Sequence, residues 1–206
     1  MHRYQILMEY VGTNFYGWQY QKKQITIQGT VEKILKKILK EKVKLYGSGR
    51  TDSKVHAIEQ SAHFDVKNKI DNIKKFFNTL NFFLNGRFIT VVKIKKRPLT
   101  FHARYSAKKR IYKYLIHNRE SLPSIDRDRG WYVKKKLDYG LIKKASHFLK
   151  GKHDLSVFRA SNCSASSPIR TIDSLTIKKN NDIIEIKIKS RSFLKQQVRS
   201  IVGLSL

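Results

Sequence analysis

The chain has 206 residues, 40% of them hydrophobic, which is enough for a sizeable buried core and excludes a disordered tail. Forty-four Lys and Arg oppose fifteen Asp and Glu, a formal net charge of +29; such a field favours polyanions, nucleic acid first, although a compositional bias toward Lys, Ile and Asn supplies part of the lysine. A single cysteine, Cys163, excludes an internal disulfide, and no stretch has the length of a membrane span or the apolar core of a secretory leader. A cytoplasmic protein without a membrane partner is expected.

In chain order, "YQILMEYV" (residues 4–11) is apolar and β-prone and predicts a first strand. "TVEKILKKILKE" places Val31, Ile34, Leu35, Ile38 and Leu39 at helical spacing, with Thr26 or Thr30 as the cap. "VKLYG" and "QSAHFDV" predict strands. "DNIKKFFNTLNFFL" predicts a helix with Ile73, Phe76, Phe77, Leu80 and Leu84 on one face and Asp71 as cap, and "RFITVVKIKK" a closing strand. The order strand, helix, strand, strand, helix, strand is the ferredoxin-like split pattern. The second half repeats its beginning. "RIYKYLIHN" predicts a strand, and "DYGLIKKASHFLKG" a helix with Leu141, Ile142, Ala145, Phe148 and Leu149 inward and Asp138 as cap. "IRTIDSLTIKK" and "DIIEIKIKS" predict a hairpin around Asn180-Asn181, with Ile184, Ile186 and Ile188 on one face, and "FLKQQVRSIVGLSL" starts a helix. The fold class expected is α+β: two pseudo-repeated, ferredoxin-like (RRM-like) halves, residues 1–103 and 104–206, sharing one extended, mostly antiparallel sheet with a cleft between them.

The stretch "YGSGRTDSKVHA" (residues 46–57) concentrates two glycines, an arginine, an aspartate and a histidine. Neither a phosphate loop nor a dinucleotide fingerprint is present. A tight turn is expected, with positive φ at Gly47, Gly49 or both. The bare pattern leaves two readings open: an ordinary turn capped by Asp52, or a loop that presents Asp52 for chemistry. His56 reads as structural or solvated. The seven histidines are scattered and Cys163 has no cysteine partner, so no metal is called for; Asp126 and Asp128 read as loop ion pairs. "FHARYSAKKRIYKY" (residues 101–114) interleaves basic and aromatic residues, a pattern suited to RNA with unstacked bases. Tyr112 and Tyr114 point the same way on a strand, toward a base or into the core.

Taken together, these segments resemble the TruA family of tRNA pseudouridine synthases. "GRTDSKVHA" resembles the family's Gly-Arg-Thr-Asp-Ala-Gly-Val-His-Ala. "EYVGTNFYGWQYQ" resembles its N-terminal segment, and "FHARYSAKKRIYKY" its Phe-His-Ala-Arg-Phe-Ser-Ala…Tyr-x-Tyr strand. "DLSVFRASNCSASSPIRTI" and "SFLKQQVRSIVG" resemble two further blocks in the same order. The resemblance implies cofactor-free isomerisation of a tRNA uridine at nucleotides 38 to 40 of the anticodon stem-loop, by a homodimer. Asp52 would be the catalytic carboxylate and Arg199 its partner. Tyr112 would stack on the uracil, and Arg50 would hold the nucleotide out of the helix. Phe101, His102, Ala103, Arg104 and Tyr105, and Asn162, Cys163, Ser164, Ala165 and Ser166, fall on stretches expected to contact tRNA.

This chain departs from the pattern at four places, one of them the last block, where "FLKQQVRS" replaces a more histidine-rich version. Ser53-Lys54 stands for Ala-Gly after the aspartate, and the lysine alters the turn or adds a phosphate contact. Val11 replaces an aspartate before Gly12. The family continues beyond "VGLSL" with more helix and a final strand, which the second half is expected to lack. The alternative from another class is a non-catalytic RNA-binding or RNA-chaperone relative that keeps the basic surface without turnover.

Overall fold

The computed structural model describes every residue except 162, 164, 205 and 206. The chain divides into two compact units, Met1–Ala107 and Lys108–Leu206. Strands are shared between two separate sheets of four and five strands. This corrects the single extended sheet expected above.

In the first unit β1 (His2–Tyr10), α1 (Ile27–Leu39), β2 (Leu45–Gly47), β3 (Ala57–Val66), α2 (Ile73–Asn85) and β4 (Ile89–Arg97) follow in the predicted order. The sheet runs β2-β3-β1-β4, with every neighbouring pair antiparallel. Alternation along β1 buries Tyr4, Ile6, Met8 and Tyr10 on one face. Against that face α1 packs Ile27, Val31, Ile34 and Leu35, and α2 packs Phe76, Leu80 and Leu84, in one apolar cluster. Each fully buried aliphatic or aromatic side chain is worth roughly 1.5–3 kcal/mol. Thr26 caps α1, its Oγ1 accepting from the Gly29 N–H at 3.2 Å. The cap of α2 is Asn72 and not Asp71, because it is the Asn72 Oδ1 that meets an orphan amide of the first turn, Lys75 N–H, at 2.8 Å. The sheet ends in short or cationic edges: β2 has three residues, and β4 carries Lys93, Lys95, Lys96 and Arg97. Such edges disfavour further strand pairing.

The second unit contains β5 (Arg110–His117), β6 (Trp131–Tyr132), α3 (Tyr139–His147), β7 (Gly151–Asp154), a 3₁₀ turn (Ser156–Phe158), β8 (Ile169–Asn180), β9 (Ile183–Ser190) and α4 (Gln197–Leu204). Its sheet runs β6-β5-β9-β8-β7, antiparallel except for the β5–β6 pair. The strands β8-β9-β5 have the neighbour order and sense that β2-β3-β1 have in the first unit. The β8–β9 hairpin turns at Asn181-Asp182, one residue later than expected, with Asn181 at φ 51°. Ile184, Ile186 and Ile188 are buried as the alternation predicts. Strands β6 and β7 were not expected, being too short to show a period of two.

Helix α3 corrects part of the predicted face. Asp138 caps it, accepting from the Leu141 N–H at 2.9 Å, and Ile142 and Leu149 face the core as predicted, joined by Ser146. Leu141 and Phe148 are 63% and 82% exposed, and Ala145 is also exposed. The helix is nine residues long and buries only a narrow (i, i+4) stripe, so apolar composition did not fix its phase.

Candidate active site

The loop between β2 and β3 carries Arg50 and Asp52. Arg50 is exposed, and Asp52 is half-buried. The loop is pinned along its length by the segment that follows β1. The Thr51 carbonyl accepts from the Trp18 N–H at 2.9 Å, and the Tyr10 hydroxyl lies 2.9 Å from Thr51 Oγ1. The Phe15 carbonyl receives both the Ser53 hydroxyl at 3.2 Å and the Lys54 N–H at 3.3 Å. Val55 N–H closes the turn on the Asp52 carbonyl at 3.2 Å. His56 is structural: its Nδ1 accepts from the Gly12 N–H at 3.2 Å. At the other end, Gln60 Nε2 donates to the Gly49 carbonyl at 2.6 Å. The backbone on both sides of Asp52 is thus held by hydrogen bonds.

The glycines of this loop act differently from expectation. Positive φ is found neither at Gly47 nor at Gly49 but at Gly17 (φ 83°) and at Lys54 (φ 66°). Gly47 is required by proximity: a Cβ there would lie 2.7 Å from the Trp18 indole. Gly17 combines both reasons, since a Cβ would sit 2.7 Å from the Thr51 carbonyl oxygen. Trp18, buried between these glycines, was missed by sequence reasoning; its signal is the Gly-Trp pair in "FYGWQ".

The segment 101–105 lies on the opposite face of the β1–β4 sheet. Arg3 forms a two-point pair with Asp65, both contacts at 2.7 Å, and its remaining nitrogen donates to the carbonyls of Leu99 and Phe101. The Arg97 guanidinium donates to Gln5 Oε1 at 2.8 Å and covers the Phe101 ring at 5.0 Å. His63 is buried, and its Nδ1 accepts from the Ala103 N–H at 3.1 Å. The His63 ring stacks on Tyr46 at 5.0 Å and meets the edge of His102 at 4.6 Å; His102 lies 4.4 Å from Tyr105. Burial first, then the nearby Arg3 and His102, push the His63 imidazole down to about 4, so it is a neutral acceptor at pH 7. Burial and the charges of Arg3 and Arg104 also lower His102. Arg104 and Tyr105 are exposed, while Ala103 is buried, its main chain serving as an anchor. These bonds tie residues 98–106 to the first unit, which is why that unit ends after Ala107.

In the second unit, three other segments converge. Tyr112 is half-buried at the margin of the apolar cluster, opposite Ile188, with the Phe193 ring edge-on at 4.9 Å. Phe193 leads into α4, where Arg199 is exposed and Gln197, Val198, Ile201 and Val202 face inward. Ala160 and Cys163 join the same turn: the Ala160 N–H donates to the Lys195 carbonyl, and the Lys195 N–H to Cys163 Sγ at 3.4 Å. Arg159 donates to the Cys163 and Ala165 carbonyls at 2.7 and 2.8 Å. The backbone amides of Lys195 and Ala165, with Arg159, hold the Cys163 thiol below its ordinary range. Ser166 is exposed; Asn162 and Ser164 lie outside the described residues.

Arg129 pairs with Asp126 at 3.7 Å, as a loop ion pair. Among the described residues no group of three or more His, Cys, Asp or Glu is arranged to hold a metal, and no helix is long and apolar enough to cross a membrane.

The family profile for tRNA pseudouridine synthase matches residues 6–106 and 145–206. The protein called tRNA pseudouridine synthase A in Pelagibacter ubique (strain HTCC1062) is 58% identical over 203 residues, covering 98% of this chain and 82% of that relative. The proteins of that name in Ehrlichia ruminantium (strain Gardel) and Thermoanaerobacter sp. (strain X514) are 45% and 44% identical, over the same shares. The matched residues include the Asp52 loop, the segment that pins it and α4, and on this breadth of similarity the chain belongs to the tRNA pseudouridine synthase family.

Proposed function

We propose that the chain isomerises uridine to pseudouridine in the anticodon stem-loop of tRNA, at nucleotides 38 to 40, with Asp52 as the catalytic carboxylate. The observation that carries the reading is the placement of Asp52 on a loop locked by main-chain bonds, in a chain similar over 98% of its length to a tRNA pseudouridine synthase A. The reaction breaks the bond from C1′ to N1, turns the uracil, joins C1′ to C5, and moves the C5 proton away while N1 gains one. It consumes no redox equivalent, so no cofactor is called for. An ionised carboxylate serves the first step as a nucleophile or base. Exposed Arg50, beside Asp52, keeps the extruded nucleotide out of the stack. Tyr112 stacks on the uracil and is held beside the Phe193 ring, 4.9 Å away and steeply inclined to it. Arg199, exposed on α4, is the arginine that the family resemblance assigns as partner of the catalytic carboxylate. Residues 101–105 and 162–166 contact the tRNA backbone and bases.

We read the two units as repeats of one ferredoxin-like plan. The shared strand order β2-β3-β1 and β8-β9-β5 supports this. A cytoplasmic homodimer completes the reading.

The test is complementation. Expressed in a host without its own anticodon-arm synthase, the protein should restore pseudouridine at nucleotides 38 to 40 of total tRNA. Folded protein without modification would leave only the RNA-binding alternative. Asp52→Ala should abolish product, at least 10³-fold, while tRNA binding stays within a few-fold. Surviving activity would assign the chemistry to another carboxylate.

A further inference from the structure

We propose that Lys54 contacts a tRNA phosphate beside the reacting uridine, a proposal that rests on reading the Asp52 loop as the active-site loop. Lys54 has φ 66°, the left-handed region, where a Cβ crowds the backbone and glycine is the natural occupant. The loop cannot relax out of it. The Lys54 N–H is committed to the Phe15 carbonyl, the Val55 N–H to the Asp52 carbonyl, and the Thr51 carbonyl to Trp18. The left-handed turn is therefore imposed by the same bonds that present Asp52, and a lysine there costs stability relative to glycine whatever its side chain does.

That side chain is exposed, two residues from Asp52, and enters none of the ion pairs among the described residues. Its backbone is rigid while its ammonium is free to reach outward. A lysine ammonium is a compact charge without the planar fork needed to read a base edge, so the chemistry it fits is a single phosphate. A phosphate contact of this kind positions the substrate and adds to the salt dependence of binding, leaving the bond-breaking step to Asp52. The rival explanation is the lysine-rich composition of the chain, under which Lys54 is a tolerated burden without a partner.

The two explanations separate cleanly, because strain and contact move different observables in opposite directions. Full-length wild type, Lys54→Gly, Lys54→Gln, Lys54→Arg and Asp52→Ala are compared by thermal unfolding, by tRNA binding across a salt series, and by single-turnover pseudouridine formation at saturating enzyme. Lys54→Gly should raise Tm by a few degrees, yet weaken tRNA binding roughly three- to tenfold and lower the slope of log K against log salt by about one. Lys54→Gln should lose the same affinity without the gain in Tm, and Lys54→Arg should keep the affinity. The same loss should appear as a higher enzyme concentration needed to reach the saturated single-turnover rate in Lys54→Gly and Lys54→Gln. A Lys54→Gly protein with higher Tm but wild-type affinity and salt slope would overturn the proposal. So would unchanged affinity with a slower saturated rate, which would make Lys54 a matter of loop geometry. Activity in Asp52→Ala would instead overturn the reading of the loop, with the phosphate contact still judged by the binding series.

Discussion

At the residue scale, the site is built by backbone more than by side-chain contacts. Asp52 depends on two positions where a Cβ is not tolerated, Gly17 and Gly47, and on Trp18 between them. His63 has a comparable role for the segment 101–105. It is a buried imidazole that must stay neutral to accept the Ala103 N–H. Its folded value, about 4, lies below the ordinary 6.5, so between these two pH values the unfolded chain binds a proton that the folded one refuses. Stability contributed by His63 is therefore complete above pH 6.5 and lost as pH falls toward 4. Asp65 acts in the same direction lower down, since its hydrogen-bonded pair with Arg3 depresses its value and is lost as the carboxylate protonates. Unfolding free energy measured by urea titration should thus decline steadily from pH 6.5 to 4. In His63→Asn, the slope over that window should flatten by up to one proton; an unchanged slope would show that another group titrates there.

At the scale of elements, the amphipathic patterns of α1 and α2 were legible because each has more than three turns and a broad apolar face. Helix α3 was legible as a helix but not in its phase. Its cap, Asp138, was read correctly, because a capping side chain acts within three residues of itself. For α2 the neighbouring candidates Asp71 and Asn72 differ by one position, and only the geometry of the first turn decides between them. Asn72→Ala should cost about 1 kcal/mol of stability and Asp71→Ala close to none, as read from urea midpoints. Equal effects would mean that the cap is shared. Strands β6 and β7, with two and four residues, depend on neighbours distant in sequence and leave no local trace.

For the whole molecule, the dominant quantity is the charge of +29. Ion pairs leave it unchanged, since every acidic group is already counted in it, and pairs such as Lys113–Glu185 at 2.7 Å are partly exposed and worth at most about 1 kcal/mol. The excess is available to a polyanion. Binding of unmodified tRNA should weaken steeply with salt, by roughly 10³-fold or more between 50 and 200 mM if six or more phosphates are contacted; a flat response would contradict the polyanion reading. By itself the sequence determined the element order of the first unit, the main elements of the second, the family and the candidate aspartate. These rest on local periodicity, local capping and motif order, all of which are properties of short stretches. Only the tertiary structure decided that the strands form two sheets, that Gly17 and Lys54 carry the left-handed turns, and that His63 anchors Ala103. Each of these joins residues far apart in the chain, where the deciding terms are close packing and the pairing of buried polar groups, and neither has a period to be read in advance.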